Sequence, residues 1–167
     1  MPGINFPPSE CRARPTRDTE WASVWFMPTR VSSARWEGDL RSGSGTVATG
    51  SGTFQGNYSF PSRFESGEGT NPEELVAAAH AACYSMALSN GLAKAGHTPT
   101  SVETSAAVQF GAVEGGFAIT RIDLTTRGDV PGLEAAEFEK FAQEAKAGCP
   151  ISKALAAVEI TLDAQLV

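Results

Sequence analysis

Two cysteines are the residues whose type and position could do chemistry. Cys83 lies in a run of small and apolar residues, and Cys149 directly precedes Pro150, which favours the first turn of a helix. A thiol just before a helix begins lies near unpaired backbone N–H groups and the positive end of the helix dipole, which lower its pKa. Each cysteine also has a structural interpretation, Cys83 as a small buried hydrophobe and Cys149 as a helix-cap residue. The pair alone is weak support for redox chemistry.

The stretch that carries Cys83 predicts a long helix. Asn71 is a suitable N-cap, Pro72 suits the first helical position, and Glu74 stands where a side chain closes a capping box. Beyond them the residues are small or apolar on nearly every side, which predicts a helix of roughly 20 to 25 residues that is buried rather than amphipathic. In a chain of this length, most of the remaining residues must wrap around that helix.

The other elements form groups of strands and helices. In chain order we predict short strands between 31 and 60, a polar loop over 61–70, longer strands over 102–110 and 117–126, an amphipathic helix over 133–147 closed by Gly148, a short helix over 150–155 and a last strand over 158–166. Because the strands are grouped rather than alternating with helices, the predicted fold class is α+β.

Composition limits the classes of function. The 167 residues suffice for one domain with a real core, and the net charge of −6 argues against nucleic acid or an anionic membrane as a partner. No apolar stretch is long enough to span a bilayer, and the N-terminus lacks the layout of a signal peptide. The three cysteines are widely spaced without a CxxC motif, so we expect no metal, no cofactor and a cytoplasmic protein with reduced thiols.

Residues 1–30 differ from the rest of the chain. They are rich in proline and arginine and show neither helical nor strand periodicity. We therefore expect a poorly ordered N-terminal extension, followed by a single domain over residues 31–167. Cys11 lies in the extension, and we assign it no function.

Six segments between residues 30 and 167 carry a resemblance to a known family. They are 34–39 (ARWEGD), 62–65 (SRFE), 69–75 (GTNPEEL), 79–83 (AHAAC), 116–120 (GFAIT) and 147–152 (AGCPIS). In this order and spacing they resemble the OsmC/Ohr family, that is, osmotically inducible protein C and organic hydroperoxide resistance protein. The resemblance is closest to the OsmC branch.

The resemblance implies an OsmC-like fold, with antiparallel sheets wrapped around a long buried central helix in an intertwined homodimer. It also implies a thiol peroxidase that reduces organic hydroperoxides in defence against oxidative and osmotic stress. In that family the cysteine matching Cys83 attacks the peroxide and becomes a sulfenic acid, and the cysteine matching Cys149 condenses with it to a disulfide. An external dithiol, which the family suggests is of the lipoyl type, then reduces the disulfide.

An arginine and a glutamate assist the cysteine in that family, and by motif they match Arg63 and Glu73. A guanidinium near Cys83 would favour its thiolate and polarise the peroxide, and a carboxylate would orient the guanidinium. The alternative interpretations are a solvated loop charge for Arg63 and a helix-start charge for Glu73. His80 lies one turn before Cys83, and we expect a hydrogen-bonded core histidine rather than a group that lowers the pKa of the thiol.

Two aromatic residues of the matching segments, Trp36 and Phe64, are expected to fill core or pocket wall. An apolar pocket beside the thiol would favour alkyl hydroperoxides, because their hydrocarbon part gains by leaving water. Two other classes of function stay open on the same fold. One is a redox sensor that forms the disulfide but turns over poorly, and the other is a non-catalytic binding protein.

Helix geometry predicts how the site is assembled. Glu73 and Cys83 are ten residues apart on one predicted helix. That spacing separates them by about 15 Å along the axis and about 80° around it, which a glutamate side chain cannot cover. We therefore expect an obligate homodimer with two composite sites, each with Cys83 and Cys149 from one chain and Glu73 with Arg63 from the other.

Overall fold

The computed structural model describes residues 28–167, so nearly all of the predicted N-terminal extension, including Cys11, lies outside the described residues. Within the described part, no helix is both long and apolar enough to cross a membrane. The elements are β1 (Ser32–Glu37), β2 (Ser44–Thr49), β3 (Gln55–Ser59), α1 (Phe60–Phe64), α2 (Pro72–Lys94), β4 (Ser101–Val113), β5 (Gly116–Asp129), α3 (Ala135–Gly148), α4 (Pro150–Ala154) and β6 (Glu159–Leu166). Their order confirms the α+β class.

The strands of residues 28–167 form two three-stranded sheets, β1-β2-β3 and β4-β5-β6. The first is an antiparallel meander, and β4 and β5 form a long antiparallel hairpin. The prediction of antiparallel sheets is wrong for one pairing, because β6 runs parallel to β5, with Leu162 opposite Leu124. A parallel neighbour requires a long crossover, and α3 with α4 supplies it.

The central helix α2 begins where its start signals predict and runs for 23 residues. Asn71 caps it, because its side chain accepts a hydrogen bond from the Glu74 N–H at 2.8 Å. The predicted capping box does not close. The Glu74 carboxylate instead accepts a hydrogen bond from the Thr70 hydroxyl at 2.6 Å, which ties the preceding loop to the first turn of the helix.

One face of α2 packs into the core. The fully buried residues of this face, spaced four apart, are His80, Tyr84, Leu88 and Leu92. They contact the second sheet and α3. The opposite face, which we call the outer face of α2, is exposed in the single chain and consists of Ala78, Ala79, Ala82 and Met86. The prediction of a helix buried on nearly every side is therefore wrong for the single chain, since one sheet and the helices α3 and α4 cover only one of its faces.

Two local predictions also need correction. The segment predicted as a polar loop begins with helix α1, which Ser59 and Ser62 close with a reciprocal capping box. Helix α3 begins at Ala135, and Gly148 is its last helical residue rather than a residue beyond its end.

Candidate active site

Helices α2, α3 and α4 bring the two cysteines together. Cys83 lies in the middle of α2, and Cys149 is at once the C-cap of α3 and the N-cap of α4. Its backbone is held from both sides, since its N–H donates to the Ala145 carbonyl at 2.8 Å and its carbonyl accepts from the Lys153 N–H at 3.0 Å. The Tyr84 hydroxyl donates to the Ala142 carbonyl at 3.1 Å and anchors α3 on α2. The two sulfurs are reduced and hydrogen-bonded to each other.

The two sulfurs differ in access. Cys83 is half-buried and lines an open groove of about 670 Å³ between α2 and α3. Cys149 is 0% exposed and lies behind Cys83 in the hydrophobic core. A reagent from solvent can therefore reach the sulfur of Cys83 but not that of Cys149.

The two thiols also differ in pKa. Burial raises the pKa of the Cys83 thiol and the neighbouring Cys149 sulfur raises it further, while the Ile151 N–H opposes both. Burial works against the Cys149 thiolate too, but the Ser152 N–H, the Cys83 thiol, the Ser152 hydroxyl and the Ile151 N–H all donate to its sulfur and lower its pKa. These N–H groups belong to the first turn of α4, as the sequence predicts. In the single chain, Cys149 therefore has the lower pKa of the two thiols.

Arg63 and Glu73 form a separate, well-oriented pair. Arg63 Nη2 donates to Glu73 Oε1 at 2.7 Å and Arg63 Nε donates to Glu73 Oε2 at 3.2 Å, a bidentate contact that fixes the plane of the guanidinium. The Glu73 side chain is 11% exposed and that of Arg63 is 33% exposed. Arg63 is thus a positioned cation rather than a solvated loop charge. Because Nε and Nη2 contact Glu73, the third guanidinium nitrogen, Nη1, points away from Glu73.

Aromatic rings stand against this guanidinium. Its central carbon lies 4.6 Å from the ring centroid of Phe110 and 5.3 Å from that of Phe64. Phe60 stacks on Phe64, and Phe117 stacks on Phe110. We call Phe60, Phe64, Phe110 and Phe117 the aromatic wall. Sequence reasoning found Phe64 but missed Phe110 and Phe117, because their approach depends on how the β4–β5 hairpin docks.

The single chain does not bring the two groups of residues together. Ten residues of α2 separate Glu73 from Cys83, or about 15 Å along the helix axis. The lining of the groove beside Cys83 includes neither Arg63 nor Glu73. Trp36 packs on Tyr58 at 5.3 Å between ring centroids and, as expected for a pocket-wall residue, lines a cavity of about 260 Å³ together with Arg63 and Phe64.

Two buried polar residues lie behind the cysteines. His80 is 0% exposed and Ser152 is 6% exposed, and His80 Nε2 lies 2.8 Å from Ser152 Oγ. Burial lowers the pKa of His80, so the ring is neutral. The predicted hydrogen-bonded core histidine is confirmed. Ser152 was missed, although its position three residues after a cysteine at a helix N-terminus is the signal that could have found it.

Comparison with known proteins relates most of the chain to one family. The family described as OsmC-like protein matches residues 65–163. Peroxiredoxin OsmC of Escherichia coli (strain K12) is 57% identical over 134 residues, which are 80% of this chain and 93% of that protein. An organic hydroperoxide resistance protein of Xanthomonas axonopodis pv. citri (strain 306) is 36% identical over 98 residues, 58% of this chain and 67% of the relative.

Solved structures share the fold. An organic hydroperoxide resistance protein OsmC from Legionella pneumophila superposes with a TM-score of 0.65 at 26% identity, covering 85% of this chain and 99% of that one. The organic hydroperoxide resistance protein OhrB of Bacillus subtilis gives a TM-score of 0.61 at 23% identity, covering 82% and 98% of the two chains.

Proposed function

This chain belongs to the OsmC-like protein family, and we propose that it reduces organic hydroperoxides with Cys83 as the attacking thiolate and Cys149 as the resolving thiol. It is a thiol-dependent peroxidase, the activity that its peroxiredoxin and hydroperoxide resistance relatives indicate. The observation that carries the division of roles is access. Cys83 opens on a groove, whereas Cys149 is 0% exposed behind it.

The chemistry runs in three steps. The Cys83 thiolate attacks one oxygen of the hydroperoxide, the O–O bond breaks, and the alkoxide takes a proton and leaves as alcohol, so that Cys83 becomes a sulfenic acid. The Cys149 thiolate then attacks the Cys83 sulfur, the S–O bond breaks, and the leaving hydroxide becomes water on taking a proton. An external dithiol reduces the Cys83–Cys149 disulfide by two thiol–disulfide exchanges and leaves as its own disulfide.

The first step needs a cation beside Cys83. In the single chain burial raises the pKa of Cys83, and its neighbour Cys149 competes for the negative charge. Arg63 is suited to reverse this, because Glu73 holds its guanidinium in a fixed plane. We therefore propose a homodimer in which Arg63 and Glu73 of the partner subunit complete the site around Cys83.

The outer face of α2 supports this assembly. Ala78, Ala79 and Ala82 are small enough for a second helix to approach closely, and Met86 beside them is 75% exposed. Burying such a face would remove apolar surface from water. Two α2 helices crossing antiparallel on a twofold axis would bring the start of one toward the middle of the other.

The aromatic wall supports an organic rather than an inorganic peroxide. It stands against the Arg63 guanidinium, so in the composite site it would lie beside the peroxide group and cover a hydrocarbon tail. Hydrogen peroxide gains nothing from that surface. We accordingly propose alkyl or aryl hydroperoxides as the preferred substrates.

The reductant, the location and the domain limits complete the proposal. The groove beside Cys83 is open enough for a dithiol, and we propose one of the lipoyl type. Both thiols must be returned to the reduced state in each cycle, which favours the cytoplasm. We take residues 31–167 as the single functional domain and residues 1–30 as an extension.

One experiment separates the peroxidase from the alternatives. Reduced protein is mixed with cumene hydroperoxide, free thiols are counted over time, and dithiol is then added. Fast repeated loss and recovery of two thiols per chain is the expected result. One slow cycle would indicate a redox sensor, and no loss of thiol would indicate a non-catalytic protein. A Cys11→Ser variant keeps the count to the two thiols at issue.

A further inference from the structure

The buried His80–Ser152 pair has no part in the mechanism given above. It joins α2 to α4 through one hydrogen bond of 2.8 Å in the core directly behind the cysteines. Within residues 28–167, the other ring nitrogen, His80 Nδ1, has no hydrogen-bond partner. A buried polar side chain with one atom unpaired carries a free-energy cost, which calls for a compensating role.

The unpaired Nδ1 decides which way the hydrogen bond runs. A neutral imidazole carries one N–H, and an orphaned buried N–H donor is rarer than an orphaned acceptor. The tautomer that leaves Nδ1 as a bare acceptor places the proton on Nε2. His80 then donates to Ser152 Oγ, and the serine hydroxyl keeps its own proton free for another acceptor.

That acceptor is the sulfur of Cys149. Ser152 lies three residues beyond Cys149 in the first turn of α4, where its N–H and hydroxyl are close enough to the Cys149 sulfur to lower the pKa of that thiol. With the opposite tautomer, the Ser152 hydroxyl would have to donate its proton to His80 Nε2 and could not donate to the Cys149 sulfur. The chain of contacts therefore runs from His80 through Ser152 to Cys149.

We propose that His80 and Ser152 are positioning residues that hold the serine hydroxyl as a hydrogen-bond donor to the Cys149 sulfur, and that they speed disulfide closure and reopening rather than the attack on peroxide. This inference rests on the roles proposed above for the two cysteines. In closure, the donor favours the thiolate of Cys149, which attacks the Cys83 sulfenic sulfur and expels hydroxide; the hydroxide takes a proton and leaves as water.

Reduction of the disulfide depends on the same hydrogen bond from Ser152 to Cys149. An external thiolate of the dithiol attacks the exposed sulfur of Cys83, the Cys83–Cys149 bond breaks, and Cys149 leaves as thiolate. A leaving thiol of lower pKa leaves faster. The second thiol of the dithiol then attacks the mixed disulfide and releases the Cys83 thiolate. The dithiol is thereby oxidised by two electrons to a cyclic disulfide.

Two other titratable side chains interact with the Cys149 sulfur. Cys83 lies beside it, and Tyr84 has a pKa that is raised first by burial and then by the charge of Cys149. Tyr84 is not the donor to the sulfur, because its hydroxyl already donates to the Ala142 carbonyl. Burial keeps the Tyr84 phenol protonated through the physiological range.

Single-turnover kinetics test the proposal with three variants and a control. Ser152→Ala removes the donor, His80→Leu removes the group that orients it, and His80→Gln keeps an amide N–H near the position of Nε2. The control, Ser85→Ala, removes a half-buried hydroxyl of α2 whose contact is with Thr104 at 2.9 Å, not with a cysteine. Sulfenic acid formation is followed by trapping, and closure by the loss of the trappable species.

Ser152→Ala and His80→Leu should slow closure roughly three- to tenfold, because losing a hydrogen bond to a charged group lowers the thiolate fraction while the remaining thiolate is somewhat more nucleophilic. Dithiol reduction of the preformed disulfide should slow by a similar factor. Sulfenic acid formation should not slow, because a weaker Cys149 thiolate competes less with the Cys83 thiolate. His80→Gln should recover most of the closure rate, and Ser85→Ala should change neither step. Closure at the normal rate in Ser152→Ala, or equal slowing of the peroxide step, would overturn the proposal.

A measurement independent of peroxide keeps the inference testable even if the cysteine roles are wrong. In a Cys11→Ser, Cys83→Ser background, Cys149 is the remaining thiol, and its thiolate absorbance near 240 nm can be titrated. Adding Ser152→Ala should raise the pKa of Cys149, and His80→Leu should raise it in the same direction. The ¹⁵N shifts of His80, one of only two histidines, should report a protonated Nε2. An unchanged thiol titration, or a protonated Nδ1, would refute the hydrogen-bond chain itself.

Discussion

At the scale of single residues, two thiols of the same type acquire different properties from their surroundings. Cys83 is reachable but has a raised pKa, and Cys149 is unreachable but has a lowered pKa. Solvent access therefore favours Cys83 as the nucleophile, whereas the lower pKa favours Cys149. Access decides the first step, since no peroxide can reach a sulfur that is 0% exposed.

The division of labour between the cysteines predicts two different defects. Cys83→Ser should abolish peroxide consumption, because Cys149 cannot be reached. Cys149→Ser should permit one stoichiometric oxidation of Cys83 and then stall at the sulfenic or over-oxidised state. Mass spectrometry after one equivalent of cumene hydroperoxide measures both. Equal reactivity of the two variants in that single turnover would mean that the roles are reversed.

The buried imidazole predicts a pH dependence of stability. Burial lowers the pKa of His80, so the unfolded chain binds a proton that the folded chain does not. The free energy of unfolding should therefore fall as pH drops below about 6.5, the unperturbed value, by at most about 1.4 kcal/mol per pH unit. Urea unfolding between pH 5 and 7.5 measures it. His80→Gln should flatten that slope, and an unchanged slope in this variant would contradict the assignment.

At the scale of elements, local signals were sufficient for some predictions and not for others. Helix α2 could be predicted, because its cap, its proline and its run of helix-forming residues are adjacent in sequence. Helix α1 is only five residues long, and its capping residues Ser59 and Ser62 resemble ordinary loop residues. The parallel direction of β6 depends on where the α3–α4 crossover returns the chain, which no local pattern encodes.

The candidate active site was likewise predictable only in part. The cysteines, Arg63, Glu73 and His80 are recognisable from motifs, but the contacts that give them their properties come from distant segments. Ser152 reaches His80 across 72 positions of sequence, and Phe110 approaches Arg63 only because the hairpin docks there. Such contacts follow from packing rather than from spacing.

The junction of α1, α2 and the β4–β5 hairpin predicts that arginine cannot be replaced by lysine. Arg63→Lys would keep the charge but lose the bidentate contact with Glu73 and the contact of the guanidinium with the face of Phe110. Turnover should fall about tenfold or more, since a charge-assisted hydrogen bond of this kind contributes more than 1.4 kcal/mol. The matched control is Arg121→Lys, which alters a surface pair with Asp123. Steady-state kinetics with cumene hydroperoxide measure both, and normal turnover in Arg63→Lys would contradict a role for the guanidinium.

At the scale of the whole molecule, the outer face of α2 predicts the state of assembly. Ala78→Glu would place a charge on a face that is exposed in the single chain but buried in the proposed dimer. The variant should run as a monomer, or as a much weaker dimer, and lose peroxidase activity. Light scattering and turnover measure this against Thr125→Glu, an exposed position on β5 away from that face. A fully active Ala78→Glu monomer would contradict the proposed dimer.

The most direct test of the composite site is complementation between two inactive variants. Cys83→Ser and Glu73→Ala proteins are unfolded together, refolded, and checked for heterodimers by differential tagging. Each heterodimer would carry one site with an intact Cys83 from one chain and an intact Glu73 from the other. Random pairing should then restore about a quarter of the normal peroxidase activity. Confirmed heterodimers without activity would place each site within a single chain and contradict the composite arrangement.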